Sequence, residues 1–213
     1  MNSKLINTLK NYNANTTGVK RESSVLLPLI LKDGEWNLMY EVRASTLNSQ
    51  PGEICFPGGK MECHENAKEA AVRETCEELN IRSEDIEVIG RIDSVMTSFN
   101  MLIHCYVGII HKNFEDIKYS KDEVDHLFLA PVSYMCKHEP LKYNVKTLME
   151  LPEDFPYDNI PEGRNYNFKT SSYPVIFYQY YNKTIWGLTA RMTESFIELV
   201  SNHCEDFSPE NLR

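Results

Sequence analysis

Residues 58–79 read GGKMECHENAKEAAVRETCEEL, and six of these positions are glutamate: Glu62, Glu65, Glu69, Glu74, Glu77 and Glu78. From Asn66 onward the segment is built of alanine and other good helix formers, which predicts a helix over about 66–79. A helix turns by about 100° per residue, so Glu74 stacks on Glu78, Glu77 lies beside them, and Ala67, Ala70 and Ala71 share that half. Val72, Thr75, Cys76 and Leu79 fall in the other half, which is expected to meet the core. Like charges one turn apart repel each other, so something should offset them. In one reading the glutamates form a solvated face, partly compensated by Lys68 and Arg73. In the other they form a cage for hard divalent cations: Mg²⁺ takes carboxylate oxygens, waters and substrate phosphates. The glycine-rich turn before the helix lets backbone carbonyls and a phosphate chain come close.

Working outward, SSVLLPLIL (23–31) and EWNLMYEVRA (35–44) read as strands joined by a hairpin at Lys32-Asp33-Gly34, since Asp-Gly is a strong hairpin signal. Pro28 is expected near a sheet edge or a bulge, because it brings no N–H to the ladder. STLNSQPGE (45–53) is a polar loop, and ICFPGG (54–59) a short strand entering a turn. Beyond the helix, 86–96 and 101–110 read as strands around the turn TSFN, and 123–135 as a strand passing into a short helix. Residues 137–172, rich in proline, asparagine, tyrosine and charge, are expected to form a long loop or inserted lid. A hairpin around Asn182-Lys183 and an amphipathic helix over 189–204 complete the chain. At the other end, residues 1–18 suggest a short amphipathic helix with Leu5, Ile6 and Leu9 on one side. The expected organisation is a helical extension over 1–22 and a single domain over 23–213.

The chain has 213 residues, 42% of them hydrophobic and 25% charged, enough for one sizeable core in an ordered protein. A net charge of −9 argues against partners attracted by charge alone, nucleic acid and anionic membrane among them. An anionic substrate would need cationic help, which bound metal ions would supply. The six cysteines are scattered, and Cys63-His64, Cys136 with His138, and His203-Cys204 lack the paired spacing of a zinc site. No apolar run is long enough to span a bilayer. These features lead to the expectation of a cytoplasmic protein with reduced thiols, and the amphipathic helices at its two ends, as possible dimer surfaces, leave a monomer and a homodimer both open.

The spacing Gly59, Glu65, then Arg73-Glu74-Thr75-Cys76-Glu77-Glu78-Leu79-Asn80-Ile81 resembles the signature of the Nudix hydrolases, which cleave a nucleoside diphosphate linked to another group. Thr75 replaces a usual apolar residue and Asn80 a usual glycine, and asparagine is the next best left-handed cap. The segment YEVRASTLNSQPGEICFPGG (Tyr40–Gly59) resembles that preceding the signature in the coenzyme A diphosphatase branch. EVDHLFLAPVSYM and IWGLTARM also sit where that branch has similar segments. Asn48 and Gln50 depart from its usual arginine and histidine.

The resemblance implies an α+β fold, an α/β/α sandwich with a mixed sheet between helices. It also implies Mg²⁺- or Mn²⁺-dependent hydrolysis of coenzyme A, or an acyl derivative, to adenosine 3′,5′-bisphosphate and 4′-phosphopantetheine. Metal ligands would be Glu74, Glu77, Glu78 and the Gly58 carbonyl, with Glu74, Glu78 and Glu123 as catalytic carboxylates; Glu74 and Glu123 compete for the role of base. Arg43, Phe56, Gly58 and Gly59 are assigned to substrate, Arg43 because guanidinium suits phosphate, while Phe56 also suits simple packing. Arg73 and Glu65 are expected to orient neighbours. Trp186 reads more readily as a core residue than as a stacking platform. The alternatives are a Nudix enzyme for ADP-ribose or a nucleotide sugar, and a non-catalytic nucleotide-binding domain.

Overall fold

The computed structural model describes residues 3–12 and 16–201. The chain runs α1 (Ser3–Lys10), β1 (Arg21–Lys32), β2 (Glu35–Arg43), β3 (Ile54–Cys55), β4 (Gly58–Lys60), α2 (Ala67–Leu79), β5 (Ile86–Met96), β6 (Met101–Ile110), β7 (Val124–Pro131), α3 (Val132–Lys137), β8 (Leu141–Thr147), β9 (Ser171–Tyr180), β10 (Lys183–Trp186) and α4 (Gly187–Ser201). The predicted end of the last helix, with His203 and Cys204, lies outside the described residues, as does part of the turn after α1.

Strands β1 to β7 form one mixed sheet. β1 and β6 are parallel and the other pairs antiparallel. The β1–β2 hairpin closes through Asp33 (φ +52°) and Gly34 (φ +76°), the left-handed pair that a tight hairpin demands. Away from that turn the two strands splay. β1 pairs with β2 only over Leu29–Lys32 and with β4 over Ser23–Val25, while β2 turns to β3 at Glu41–Val42. The short segment 54–60 is therefore wedged between them.

Pro28 occupies this inner strand rather than an edge. It is paired to Gly108 of β6, at the point where the other flank changes partner from β4 to β2. The Leu26 N–H donates to the Pro57 carbonyl. Two residues on, Pro28 would aim its missing N–H at the gap between partners, where nothing asks for a donor.

Both faces of the sheet are covered. Leu27, Leu29, Leu38 and Tyr40 join the larger core with residues of α3, α4, β9 and β10. The alternate positions Ile30 and Met39 pack with Leu79, Ile81, Ile110 and Ile117 beneath the end of α2. Period-two alternation thus places helices on each side of a mixed sheet, the expected α+β sandwich.

Residues 137–172 are not simply a loop. They contain β8, all of it exposed, paired antiparallel with β9 in a separate three-stranded sheet of order β10-β9-β8. The β9–β10 turn is Tyr181-Asn182, one residue earlier than expected, with Tyr181 at φ +49°. Leu5 and Leu9 of α1 are exposed. No helix among the described residues is long and apolar enough to cross a membrane.

Candidate active site

The splay between β1 and β2 fixes the geometry of the glycine pair. A Cβ at Gly58 (φ +152°) would lie 2.4 Å from the Ser24 carbonyl oxygen and 2.6 Å from the Val25 Cα, so a side chain there would collide with the β1 backbone. At Gly59 the obstruction is the Glu74 carboxylate, whose Cδ and both oxygens would lie 2.4–2.5 Å from a Cβ. The Gly58 N–H donates to Glu78 Oε2 at 2.8 Å. The two glycines thus bring a bare backbone against two carboxylates of α2.

Local sequence builds that helix. Asn66 caps it, accepting from the Lys68 and Glu69 N–H groups, while Glu69 reaches back to the Asn66 N–H as a capping box. Asn80 closes it in the left-handed conformation (φ +49°, ψ +44°). Thr75, fully buried, donates its hydroxyl to the Ala71 carbonyl at 2.7 Å, which satisfies the polar atom in the core.

Arg73 organises the solvent side. Its guanidinium donates twice to Glu65, at 3.0 and 2.8 Å, and also to the Lys60 carbonyl. Through Nη1 it meets Glu74 at 2.8 Å and Glu77 at 3.4 Å. These contacts hold the Arg73 proton even more tightly than usual. Glu65 is drawn below the ordinary carboxylate range, mainly by its hydrogen bonds from Arg73.

Glu78 is not on a solvated face. It is 7% exposed, on the packing side of α2 with Ala70, Ala71, Thr75 and Leu79. The half of the wheel carrying alanines is itself packed, because those small residues let the helix approach β1 and β4. Burial pushes the Glu78 carboxyl up to about 8; the Gly58 N–H opposes this, while Glu123 and Glu74 add to it. Glu74 is also raised, mainly by burial, against the pull of Arg73.

Sequence reading missed Glu41. It stands in the middle of β2, 1% exposed, and its Oε1 has no hydrogen-bond partner. Burial raises its carboxyl well above the usual range, and the charge of Glu78 raises it further, with Arg43 opposing and Glu123 reinforcing. The signal was present in β2: WNLMYEV is buried throughout and so shows no alternation, and one acid interrupts it.

Glu123 is brought to this group from the turn before β7. Its carbonyl accepts from the Ala44 N–H at 2.8 Å, while the nearby Ser120 N–H donates to the Glu78 carbonyl at 2.7 Å. Arg43 sits at the end of β2 with its Nε donating to the Ser49 carbonyl at 3.3 Å, and its charge acts on both Glu41 and Glu78. Glu77 is more peripheral, with its side chain 59% exposed. Phe56, assigned to substrate from sequence, is 2% exposed and stacked on Tyr40 at 4.8 Å between centroids, so it belongs to the core. Trp186 shows the reverse: it is 44% exposed and stacks on Phe177 at 6.0 Å.

Among the described residues no three His, Cys, Asp or Glu side chains converge as a metal-ligand set. The donor chemistry nevertheless fits a hard cation. Buried carboxylates share a region whose nearby guanidiniums are Arg43 and Arg73, and one buried oxygen is left without a partner. Such oxygens cost several kcal/mol unless paired, and oxygen-only donors suit divalent ions such as Mg²⁺.

Comparison with known proteins agrees with the geometry. The NUDIX domain matches residues 20–144, more than half the chain. Nudix hydrolase 3 of Caenorhabditis elegans is 30% identical over 184 residues, covering 84% of this chain and 72% of that protein. The peroxisomal coenzyme A diphosphatase NUDT7 of Mus musculus is 33% identical over 133 residues, covering 62% of this chain and 55% of the mouse protein. A MutT/nudix family protein from Enterococcus faecalis superposes with a TM-score of 0.50 at 12% identity, over all of this chain and 73% of that one. The capped glutamate helix, the glycine pair against it and the domain match together place this chain in the Nudix hydrolase family, whose members split phosphorus anhydrides.

Proposed function

We propose that this protein hydrolyses the diphosphate of coenzyme A or an acyl derivative, giving adenosine 3′,5′-bisphosphate and 4′-phosphopantetheine or its acyl form, with Mg²⁺ or Mn²⁺. The observation that carries the reading is the pairing of two buried carboxylates, Glu41 and Glu78, with no cation of their own except the flanking Arg43. Burying such a pair costs a fold several kcal/mol, and a hydrolase that binds cations against a diphosphate has a use for it.

Glu74, Glu77, Glu78 and the Gly58 carbonyl are the residues proposed to hold the metal, and Glu41 joins them from β2. When bound, divalent ions would supply positive charge to the diphosphate and lower the pKa of water. The protein's own part is to position and to move a proton. Arg73 tethers Glu74 to Glu65 and so fixes the direction of its carboxylate. Gly58 and Gly59, lacking side chains, let the backbone lie directly against β1 and the Glu74 carboxylate, and Arg43 stands at the end of β2 where a phosphate oxygen would meet it. Glu123 is suited to accept the proton of the attacking water, being exposed and close to the buried acids, with Glu74 as the competing base.

Support for coenzyme A as substrate comes from the segment Tyr40–Gly59 and from the name of the mouse relative. The test is product analysis by chromatography with coenzyme A, ADP-ribose and a nucleotide sugar, each with Mg²⁺ or Mn²⁺. Adenosine 3′,5′-bisphosphate released fastest from coenzyme A, and abolished by a chelator, supports the proposal. Faster cleavage of another substrate overturns the specificity, and no cleavage of any overturns the enzymatic reading of this site.

A further inference from the structure

A second feature lies on the opposite face of the same strands. Val42, Pro51, Gly52, Ile54, Lys183 and Trp186 line a groove of about 360 Å³, a size in the range of small-ligand sites. The strands that line it also carry groups that act on the carboxylates. Val42 lines the groove, while Glu41 before it feels the charge of Glu78 and Arg43 after it acts on both carboxyls. Ile54 pairs with Val42 and Cys55 with Glu41, so the two-residue strand β3 has the groove at one residue and the acids at the other. Both features sit where β2 ends and loop 44–53 begins.

The groove joins an aromatic surface to a fixed cation. Trp186 is held flat by stacking on Phe177, with interplanar angle 13°, and keeps 44% of its surface open. The Lys183 ammonium donates to His126 Nε2, and the other ring nitrogen of His126 contacts Asp125 at 2.6 Å. It also stands 5.4 Å from the centre of the Phe128 ring. Glu53, on the same rim, has its carboxylate engaged by the Gln50 side-chain amide at 2.9 Å.

From this geometry we infer that the groove binds the nucleoside end of the substrate: Trp186 stacks on the base and Lys183 pairs with a phosphate on the ribose 3′ position. The inference rests on the function proposed above for the choice of a 3′-phosphorylated adenosine. A flat, exposed indole recognises the face of a base, and an ammonium held at a groove wall recognises a phosphate as a point charge. The uncharged pantetheine arm offers neither complement. In a chain of net charge −9, a cation at this place selects among diphosphates by their extra phosphate.

The protein has two tryptophans, and Trp36 is buried, so ligand-induced change in tryptophan emission reports chiefly on Trp186. The experiment titrates the full chain, kept metal-free with a chelator, with adenosine 3′,5′-bisphosphate and separately with adenosine 5′-monophosphate. The expected result is saturable quenching by both, with at least ten-fold tighter binding of the bisphosphate. Lys183→Gln should bring the two affinities within two-fold, Lys183→Arg should retain the preference, and Trp186→Phe should remove the quenching. Equal affinities in the unsubstituted protein, or a Lys183→Gln variant that weakens both ligands alike, overturns the inference. No quenching overturns it as well. None of these readouts requires hydrolysis, so a failure here leaves the proposed reaction standing, and absence of hydrolysis leaves the groove to be judged by binding alone.

Discussion

Replacing Glu78 by glutamine tests whether α2 carries a cation site at the expense of the fold. The Glu78 carboxyl is raised from 4.5 to about 8, so between those values the folded chain keeps a proton that the unfolded chain has lost. Stability from this group is therefore complete below pH 4.5 and is lost as pH rises through about 8. That difference corresponds to about 5 kcal/mol in full, and to about 3 kcal/mol at pH 7. Glutamine cannot ionise, has nearly the same volume, and still offers an oxygen to the Gly58 N–H, now 2.8 Å from Glu78 Oε2. In chelator at pH 7–8 the Glu78→Gln variant should melt roughly 5–10 °C above the unsubstituted protein. The gap should narrow toward pH 5, where Glu78 is protonated anyway. Saturating Mn²⁺ should raise the melting temperature of the unsubstituted protein and leave the variant nearly unmoved, because binding to the folded state alone stabilises it. Hydrolysis should fall at least 100-fold. Equal melting temperatures in chelator at pH 8, or a gap that does not change with pH, would refute the burial of an uncompensated charge.

Four further outcomes follow from particular contacts. Gly59→Ala displaces only the end of the Glu74 side chain, so the variant should fold with a melting temperature close to the parent's while turnover drops at least 100-fold. Gly58→Ala strikes the β1 backbone at Ser24 and Val25, and thermal unfolding should show a loss of about 3 kcal/mol or more. Arg73→Lys keeps a charge but loses the two-pronged hold on Glu65, and kcat should fall roughly ten- to 100-fold with little change in secondary structure by circular dichroism. Asn80→Gly should be neutral or slightly stabilising in denaturant titrations, and Asn80→Ala should cost about 1 kcal/mol, because position 80 is left-handed.

The helix α2 was legible because its instructions are local. Asn66, Glu69 and Asn80 are start and stop signals that act within a few residues, and the structure uses each one. The β1–β2 turn was legible for the same reason, since Asp33-Gly34 specifies its own dihedrals. Pro28 was misplaced because its tolerance depends on which strand lies alongside. The exchange of β4 for β2 at that point depends on β4, whose residues 58–60 lie 30 to 32 positions beyond Pro28, and no local rule reports it. β8 was missed because it buries nothing and pairs only with β9. Its alternation of Leu141, Tyr143 and Val145 with polar residues is that of a half-covered strand, hidden in a segment whose composition suggests a loop.

Glu41 shows why the candidate site was only half legible. The glutamates of α2 announce themselves by clustering in sequence, whereas an isolated acid in a strand looks like an ordinary outward-facing residue. What makes Glu41 unusual is that β2 is covered on both faces, by α2 on one side and by the larger core on the other. That coverage turns a routine polar position into a buried carboxylate that the charge of Glu78 disfavours further. Glutamine at 41 should therefore behave like glutamine at 78 in one respect and unlike it in another. It should relieve repulsion and stabilise the metal-free fold, since an amide carries no charge to be desolvated or repelled by Glu78. It should also weaken Mn²⁺ binding, measured by isothermal titration calorimetry, by about ten-fold or more, while leaving the Gly58–Glu78 contact intact. If Glu41→Gln stabilises the chelated protein and leaves Mn²⁺ affinity unchanged, Glu41 is a cost of the fold without a share in the metal site. If it does both, a buried acid three elements away from the glutamate helix is part of the machinery, and the strand WNLMYEV belongs to the active site as much as α2 does.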